Sequence, residues 1–410
     1  MKRYWETSCR PSSTGNEPYS PLLSSGGNMG LRPIYQSLTI AAIAALFACG
    51  GENHAASVTG EAARTFKKGG DDRSGPYEVV GGFWKASPDH TDEWEWGSVS
   101  AVAADTPDRI IVGVWGDQNA QREDRPGGSN FLVVVDGDGN IIENWSQWDS
   151  MFNRVHQVYI NPYDPERHVW VVERGGNGVH EQILKFTNDG SELVMRLLDP
   201  NPVQTSEEAR ANRNPGPLDF GQPAVLAFLP DGHFLLGDGY QNGRIVKYTT
   251  DGEYVSEFGS VGSGPGQFDL VHGIAVDRNR RIYVSDRRNH RVQVFTADGD
   301  FIEQWPDIYD PVAIFIDEND AVWVLDATLN RMLKYSLEGE LLDYFGAYAK
   351  VSSLGRSGWT GGMSLPHQMD VDSDGNLYVA QFSGPWLDKY VPRADADPKR
   401  LIGQMVRIPP

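Results

Sequence analysis

From about Tyr77 onward the chain alternates apolar and polar residues in short runs broken by turn residues. Runs such as Arg281-Ile-Tyr-Val-Ser285 and Arg291-Val-Gln-Val-Phe295 place side chains alternately on two faces, which is the period of a half-buried strand. Between such runs stand Asp136-Gly137, Asp189-Gly190, Asp231-Gly232, Asp251-Gly252, Asp298-Gly299 and Asp374-Gly375. Glycine or aspartate there supplies the positive φ that tight hairpins need. No convincing amphipathic helix interrupts the strands, although Glu207 to Arg213 fits one short helical turn inside a longer loop. The pattern predicts an all-β fold.

The runs recur in groups of four. One group reads His272-Gly-Ile-Ala-Val-Asp277, then Arg281 to Asp286, then Asn289 to Phe295, then Gly299 to Trp305. Similar openings occur near Ser100, His156, Ala224, His272, Val312 and His367. Six openings, tens of residues apart, predict a six-bladed β-propeller. The last group has three inner strands and runs out near Pro392, while Tyr77 to Trp84 reads as a lone strand before the first group. Joining the two in one blade closes the ring and removes its open edge. The group from His272, with Gly262-Ser-Gly-Pro-Gly-Gln-Phe268 leading into it, closely resembles the NHL repeat.

Composition narrows the setting. A chain of 410 residues is long enough for one closed repeat fold, and 45 glycines with 25 prolines suit many turns. The net charge of −20 repels nucleic acid and anionic lipid, and no basic stripe offsets it, so no nucleic-acid partner is expected. The two cysteines, Cys9 and Cys49, precede the repeats, which excludes a disulfide framework within them. The apolar segment Leu38 to Ala48 follows Arg32 and is too short to span a bilayer comfortably. It reads as the core of a signal peptide within residues 1–48, with Met29 the more natural start. Its end, Leu46-Phe-Ala-Cys49-Gly50, resembles a bacterial lipobox, which would make Cys49 a lipid anchor and the only link to a membrane. An ordinary secretory signal is the alternative, and either places the folded part outside the cytoplasm. Residues 49–76 read as a flexible tether and 77–410 as the propeller.

The candidate chemistry lies in one register. In a propeller blade the first strand is innermost, and its first residue stands at one mouth of the central channel. His156, His272 and His367 take that place in the second, fourth and sixth groups, alternating with Ala224 and Val312. Alternate blades of six are a third of a turn apart, so the three imidazoles approach one point on the axis. Three histidines with an open fourth position form the ligand set of a catalytic zinc site, and iron or copper also accept nitrogen donors. Second strands return to the same mouth, which brings Tyr240 and Arg287 near: a candidate proton acceptor and a candidate carboxylate clamp. Asp238, Asp286 and Asp326 share a register of their own and read as acceptors that fix turns.

The whole pattern resembles the peptidyl-α-hydroxyglycine α-amidating lyase family from about Trp96 to Tyr390. It is most specific in Asp238-Gly-Tyr-Gln-Asn-Gly-Arg-Ile-Val-Lys247 and from Gly264 to Phe295. The resemblance implies a zinc-binding triad at His156, His272 and His367. It implies a catalytic tyrosine at Tyr240 and substrate-binding arginines at Arg287 and at Arg122, with Arg125 close by. Its animal members place an Asp directly after the last histidine, where it helps bind a structural calcium; here that residue is Gln368, which weakens the expectation of calcium, while Asp370 nearby leaves a carboxylate for it. Leu365 replaces the family's methionine, and the animal disulfides have no counterpart. No copper monooxygenase domain is read ahead of the propeller, so the hydroxylated substrate is expected from elsewhere.

Together these imply a small-molecule or peptide substrate with a free carboxylate. The expected reaction is cleavage of the C–N bond of an N-acyl-α-hydroxyglycine to an amide and glyoxylate. Two other readings use the same residues: a binding scaffold without chemistry, since propellers host many functions, and a zinc-dependent hydrolase.

Overall fold

The computed structural model describes residues 74–85, 97–116, 129–176, 179–201, 215–346, 362–384 and 386–409. The signal region, both cysteines, Arg122, Arg125 and Glu207 to Arg213 lie outside these residues.

Six four-stranded antiparallel sheets form a six-bladed propeller. The first strands of blades 1 to 6 are Val99–Thr106, Val155–Ile160, Val225–Phe228, Val271–Val276, Pro311–Ile316 and Pro366–Val371. They neighbour one another around the axis and line the channel. Blade 6 takes its outermost strand from the N-terminal side. Tyr77–Val79 pairs antiparallel with Trp386–Pro392, with Tyr77 opposite Pro392, so the ring is closed by hydrogen bonds between distant parts of the chain.

The core is divided by the seams between blades. Each of six apolar clusters joins two adjacent blades, as when Val155, Val158 and Phe186 of blade 2 meet Ala101, Leu132 and Val134 of blade 1. This follows from strand periodicity, because successive residues face opposite sides of a blade. Tyr283 and Val284 therefore serve different seams. At five of the Asp-Gly turns the glycine itself has positive φ. At Asp136-Gly137 the positive φ, 84°, falls instead on Gly139, and the Asp136 carboxylate accepts the N–H groups of Asp138 and Asn140.

Residues beyond Pro392 had no strand pattern, and they close the far mouth of the channel. Ile402, Val406 and Ile408 each enter a different seam. Val406 N–H donates to Ile316 O at 2.9 Å, and Ile408 N–H to the Tyr163 hydroxyl at 3.0 Å. Above this tail lies a cavity of about 110 Å³ lined by Val158, Leu226, Ile274, Ile314 and Met369.

Tyr77 ties the closing strand to that tail: it is fully buried, packs on Phe345 and Tyr390, and its hydroxyl accepts the Ile402 N–H at 2.9 Å. Removing so large a buried ring leaves a cavity at the ring's closure, so Tyr77→Ala should cost about 3–5 kcal/mol in urea unfolding. Tyr77→Phe should cost about 1 kcal/mol, the value of one buried hydrogen bond.

Candidate metal centre

His156, His272 and His367 converge on the axis. Their ring centroids stand 4.7–4.9 Å apart, and one nitrogen from each lies within 4.8 Å of the other two. Each Nδ1 meets a backbone carbonyl of the next blade: His156 to Ala224 O at 2.6 Å, His272 to Val312 O at 2.7 Å and His367 to Ser100 O at 2.7 Å. A carbonyl oxygen only accepts, so each Nδ1 carries the proton and each Nε2 presents its lone pair. Ser100, Ala224 and Val312 are the residues that fill the histidine position in the intervening blades. Odd blades thus orient what even blades present.

The Tyr240 hydroxyl lies 3.1 Å from Nε2 of His156 and 3.1 Å from Nε2 of His272. One O–H proton can satisfy only one of these acceptors. Among the described residues, the cluster therefore buries three lone pairs facing one hydroxyl donor. Unsatisfied buried acceptors are costly, and a cation at their meeting point would satisfy them together. The residues fit a metal on this ground, and the nitrogen-only donor set suits zinc. Burial holds the imidazoles neutral: His156 and His272 sit well below the ordinary histidine range, chiefly through desolvation, and desolvation lowers His367 to about 3.

A ring of six side chains surrounds this point, fixed by one repeated hydrogen bond. The residue just past each second strand donates its N–H to the carbonyl two places before the histidine register. Trp115 bonds Ser98, Arg174 bonds Arg154, Arg287 bonds Leu270, Ala327 bonds Asp310 and Phe382 bonds Leu365. In blade 3 it is Tyr240 that bonds Gln222, at 3.4 Å, because Gly239 adds one residue before it. Only glycine fits that insertion, since a Cβ there would stand 1.9 Å from Val271 O.

The ring is not uniform. Arg287 is bound through Nε and a terminal nitrogen to Asp310, at 2.6 and 3.3 Å, and Asp310 is steadied by the Thr328 hydroxyl at 2.7 Å. Burial lowers the Arg287 pKa, but the Tyr240 hydroxyl and the Asp310 carboxylate outweigh it and raise it above the usual guanidinium range. The Arg174 guanidinium lies over the Tyr240 ring at 3.7 Å and donates to Gln222 Oε1 at 2.7 Å, while its buried Nε has no hydrogen-bond partner. Phe382 stacks on the His367 imidazole at 5.3 Å, and Trp115 meets Phe382 edge-on at 4.7 Å, with the Arg154 guanidinium 5.5 Å from the Trp115 ring.

Arg174, Trp115 and Phe382 were not singled out from the sequence. The signal existed: Glu173-Arg174 stands where blade 4 has Asp286-Arg287. Asp238 and Asp286 do accept turn N–H groups, from Gly221 and Asp269, and Asp326 accepts that of Asp310. Glu173 does the same for Asn153, Arg154 and Gly175. Gln368 turns its amide to the backbone of blades 1 and 2, accepting from Val102 and Val158 N–H and donating to Val158 O at 2.8 Å. Asp370 accepts the Ala104 N–H at 2.8 Å, and burial raises its pKa to about 6.

The NHL repeat matches residues 268–295. The chain carries an NHL repeat within a six-bladed propeller. It is 26% identical over 308 residues to human NHL repeat-containing protein 3, covering 73% of this chain and 81% of that one. It is 26% identical over 343 residues to peptidyl-alpha-hydroxyglycine alpha-amidating lyase 1 of Drosophila melanogaster, covering 74% of this chain and 59% of that one. A solved structure of a Bacteroides thetaiotaomicron protein of unknown function shares the fold, with a TM-score of 0.50 and 13% identity over 77% of this chain and 76% of that one.

The neutral triad has a consequence for stability. The unfolded chain protonates these histidines below about pH 6.5, whereas the folded metal-free protein does not until their lowered pKa values. The contribution of the triad is therefore complete above about pH 6.5 and falls as the pH drops, by about 1.4 kcal/mol per unit for each histidine. The raised carboxyls of Glu173, Glu181 and Asp370 act in the opposite direction over the same window, so the triad is read as a difference: the change in stability between pH 7.0 and 5.5, from urea unfolding of metal-free protein, should be less favourable in the wild type than in His272→Gln by about 1 kcal/mol.

Proposed function

We propose that the protein is a metal-dependent carbon–nitrogen lyase that converts an N-acyl-α-hydroxyglycine to an amide and glyoxylate. The observation that carries this reading is the Tyr240 hydroxyl held 3.1 Å from the Nε2 atoms of two histidines in a buried triad, with Arg287 in the same ring. The similarity to the fly lyase supports it.

His156, His272 and His367 would hold the ion, for which zinc is the best match to three nitrogens. When bound, it would lower the pKa of the substrate's α-hydroxyl. Tyr240 would hold and relay the hydroxyl proton. Arg287 would bind the carboxylate by hydrogen bonds from its guanidinium. As the α-oxygen becomes a carbonyl, the C–N bond breaks with its electron pair going to nitrogen. The proton taken from oxygen ends on that nitrogen, so an amide and glyoxylate account for every atom. The apolar segment ending at Cys49 supports a place outside the cytoplasm, tethered by lipid.

Similarity over most of the length of a relative named for its repeat alone favours a second reading, a binding scaffold without chemistry. Two measurements separate them. Elemental analysis should find about one zinc per chain in the wild type and none in His272→Ala. Glyoxylate release from α-hydroxyhippurate should fall at least about 100-fold in Tyr240→Phe while metal content is unchanged. Full turnover in metal-free protein would sink the lyase reading. Failure of the wild type to hold or rebind any transition metal would leave the scaffold.

A further inference from the structure

The six ring positions divide by chemistry. Arg174, Tyr240 and Arg287 occupy consecutive blades 2 to 4, Ala327 stands in blade 5, and Phe382 with Trp115 occupies blades 6 and 1. One arc offers guanidinium groups and a phenol, the opposite arc offers aromatic faces, and the histidine triad lies between them. All the ring side chains except that of Ala327 are only partly buried.

Within the cationic arc the two arginines are not equivalent. Arg287 already has a carboxylate, Asp310, on two of its nitrogens. Arg174 has no carboxylate within salt-bridge distance among the described residues, and its Nε is buried without a partner. Its sequence neighbour Glu173 is occupied by the backbone N–H groups of Asn153, Arg154 and Gly175, and Glu181 by that of Gln222. A buried donor on a permanently charged group with no acceptor is a place for a ligand's anion. Within the aromatic arc, Phe382 lies face-on to His367, so a planar group resting beside it would be carried up to the triad.

We propose that this ring orients the substrate: Arg174 joins Arg287 in receiving the carboxylate, and Phe382 with Trp115 receives an aromatic or bulky apolar acyl group. The acyl-side assignment rests on the lyase reading for the class of compound, and the carboxylate assignment holds for any N-acyl amino acid. Arg174 is then a binding residue of the site, and the aromatic pair sets its selectivity.

The test uses unreactive ligands on zinc-loaded protein. Hippurate (N-benzoylglycine), N-acetylglycine and benzamide are titrated calorimetrically. Hippurate should bind at least about tenfold more tightly than N-acetylglycine, as burial of a phenyl ring requires. Phe382→Ala and the milder Phe382→Leu should reduce that preference to about threefold or less. Arg174→Gln should weaken hippurate and N-acetylglycine alike by about tenfold and leave benzamide unchanged, with Arg174→Lys in between. Equal binding of hippurate and N-acetylglycine by the wild type would overturn the acyl assignment without recourse to any variant. Unaltered hippurate affinity in a folded Arg174→Gln protein would overturn the carboxylate assignment.

The two readings fail separately. If hippurate follows the expected pattern and α-hydroxyhippurate releases no glyoxylate, the subsites stand and the lyase reading falls. If glyoxylate is released with no preference for benzoyl over acetyl, the lyase reading stands and the acyl subsite falls.

Discussion

Everything at the histidine end of the channel depends on one hydrogen bond made three times, from a histidine Nδ1 to the first inner carbonyl of the next blade. It fixes the tautomer and the ring plane together, and so decides that Nε2 faces the axis. It also makes the centre a property of the closed ring. His367 bonds Ser100, which joins blade 6 to blade 1, and those blades stay adjacent because Tyr77–Val79 completes blade 6. An open ring would leave that third imidazole without its partner. Closure by a strand from the other end of the chain is thus a condition of the site as well as of the edge.

The buried triad also sets an electrostatic constraint. Three imidazoles this close cannot be charged together, and burial has already lowered their affinity for protons. The guanidinium groups of Arg174 and Arg287 push in the same direction. The site thus concentrates neutral lone pairs beside fixed positive charge, in a protein whose net charge is −20. Over distances beyond about 8–10 Å salt screens the overall charge, so the local field at the mouth is set by the nearby arginines. Burial raises Glu173 to about 7 and Glu181 to about 8, which leaves the two carboxylates near Arg174 poor counter-ions for it.

Much of this was legible because a repeat makes register visible. The alternation of Arg281 to Ser285 and its counterparts gave strands. The recurrence of the group gave blades, and the orphan strand at Tyr77 gave the closure. The histidines could be placed because His156, His272 and His367 share one register. What escaped was whatever broke register or lacked a pattern. Glu173 in place of aspartate hid the equivalence of Arg174 to Arg287. Gly239 shifted Tyr240 by one place, so its membership of the ring appears only through the bond to Gln222. Ile402, Val406 and Ile408 have no strand period because they lie in a tail whose burial is decided by three separate seams. Tertiary packing alone selects such residues.

The division of labour between triad and ring has a physical basis. Each histidine stands on an inner strand between two buried residues, so a change there disturbs the channel wall. The ring residues are held by backbone, through an N–H that any residue but proline supplies, and their side chains are free of that duty. The same backbone bond carries Trp115, Arg174, Tyr240, Arg287, Ala327 and Phe382. Side chains at these six places can therefore vary with little cost to the fold, whereas the three histidines of the channel wall cannot. On such a frame the triad at the axis is tied to the channel wall, while the side chains around it are set independently of the backbone bond that holds the ring.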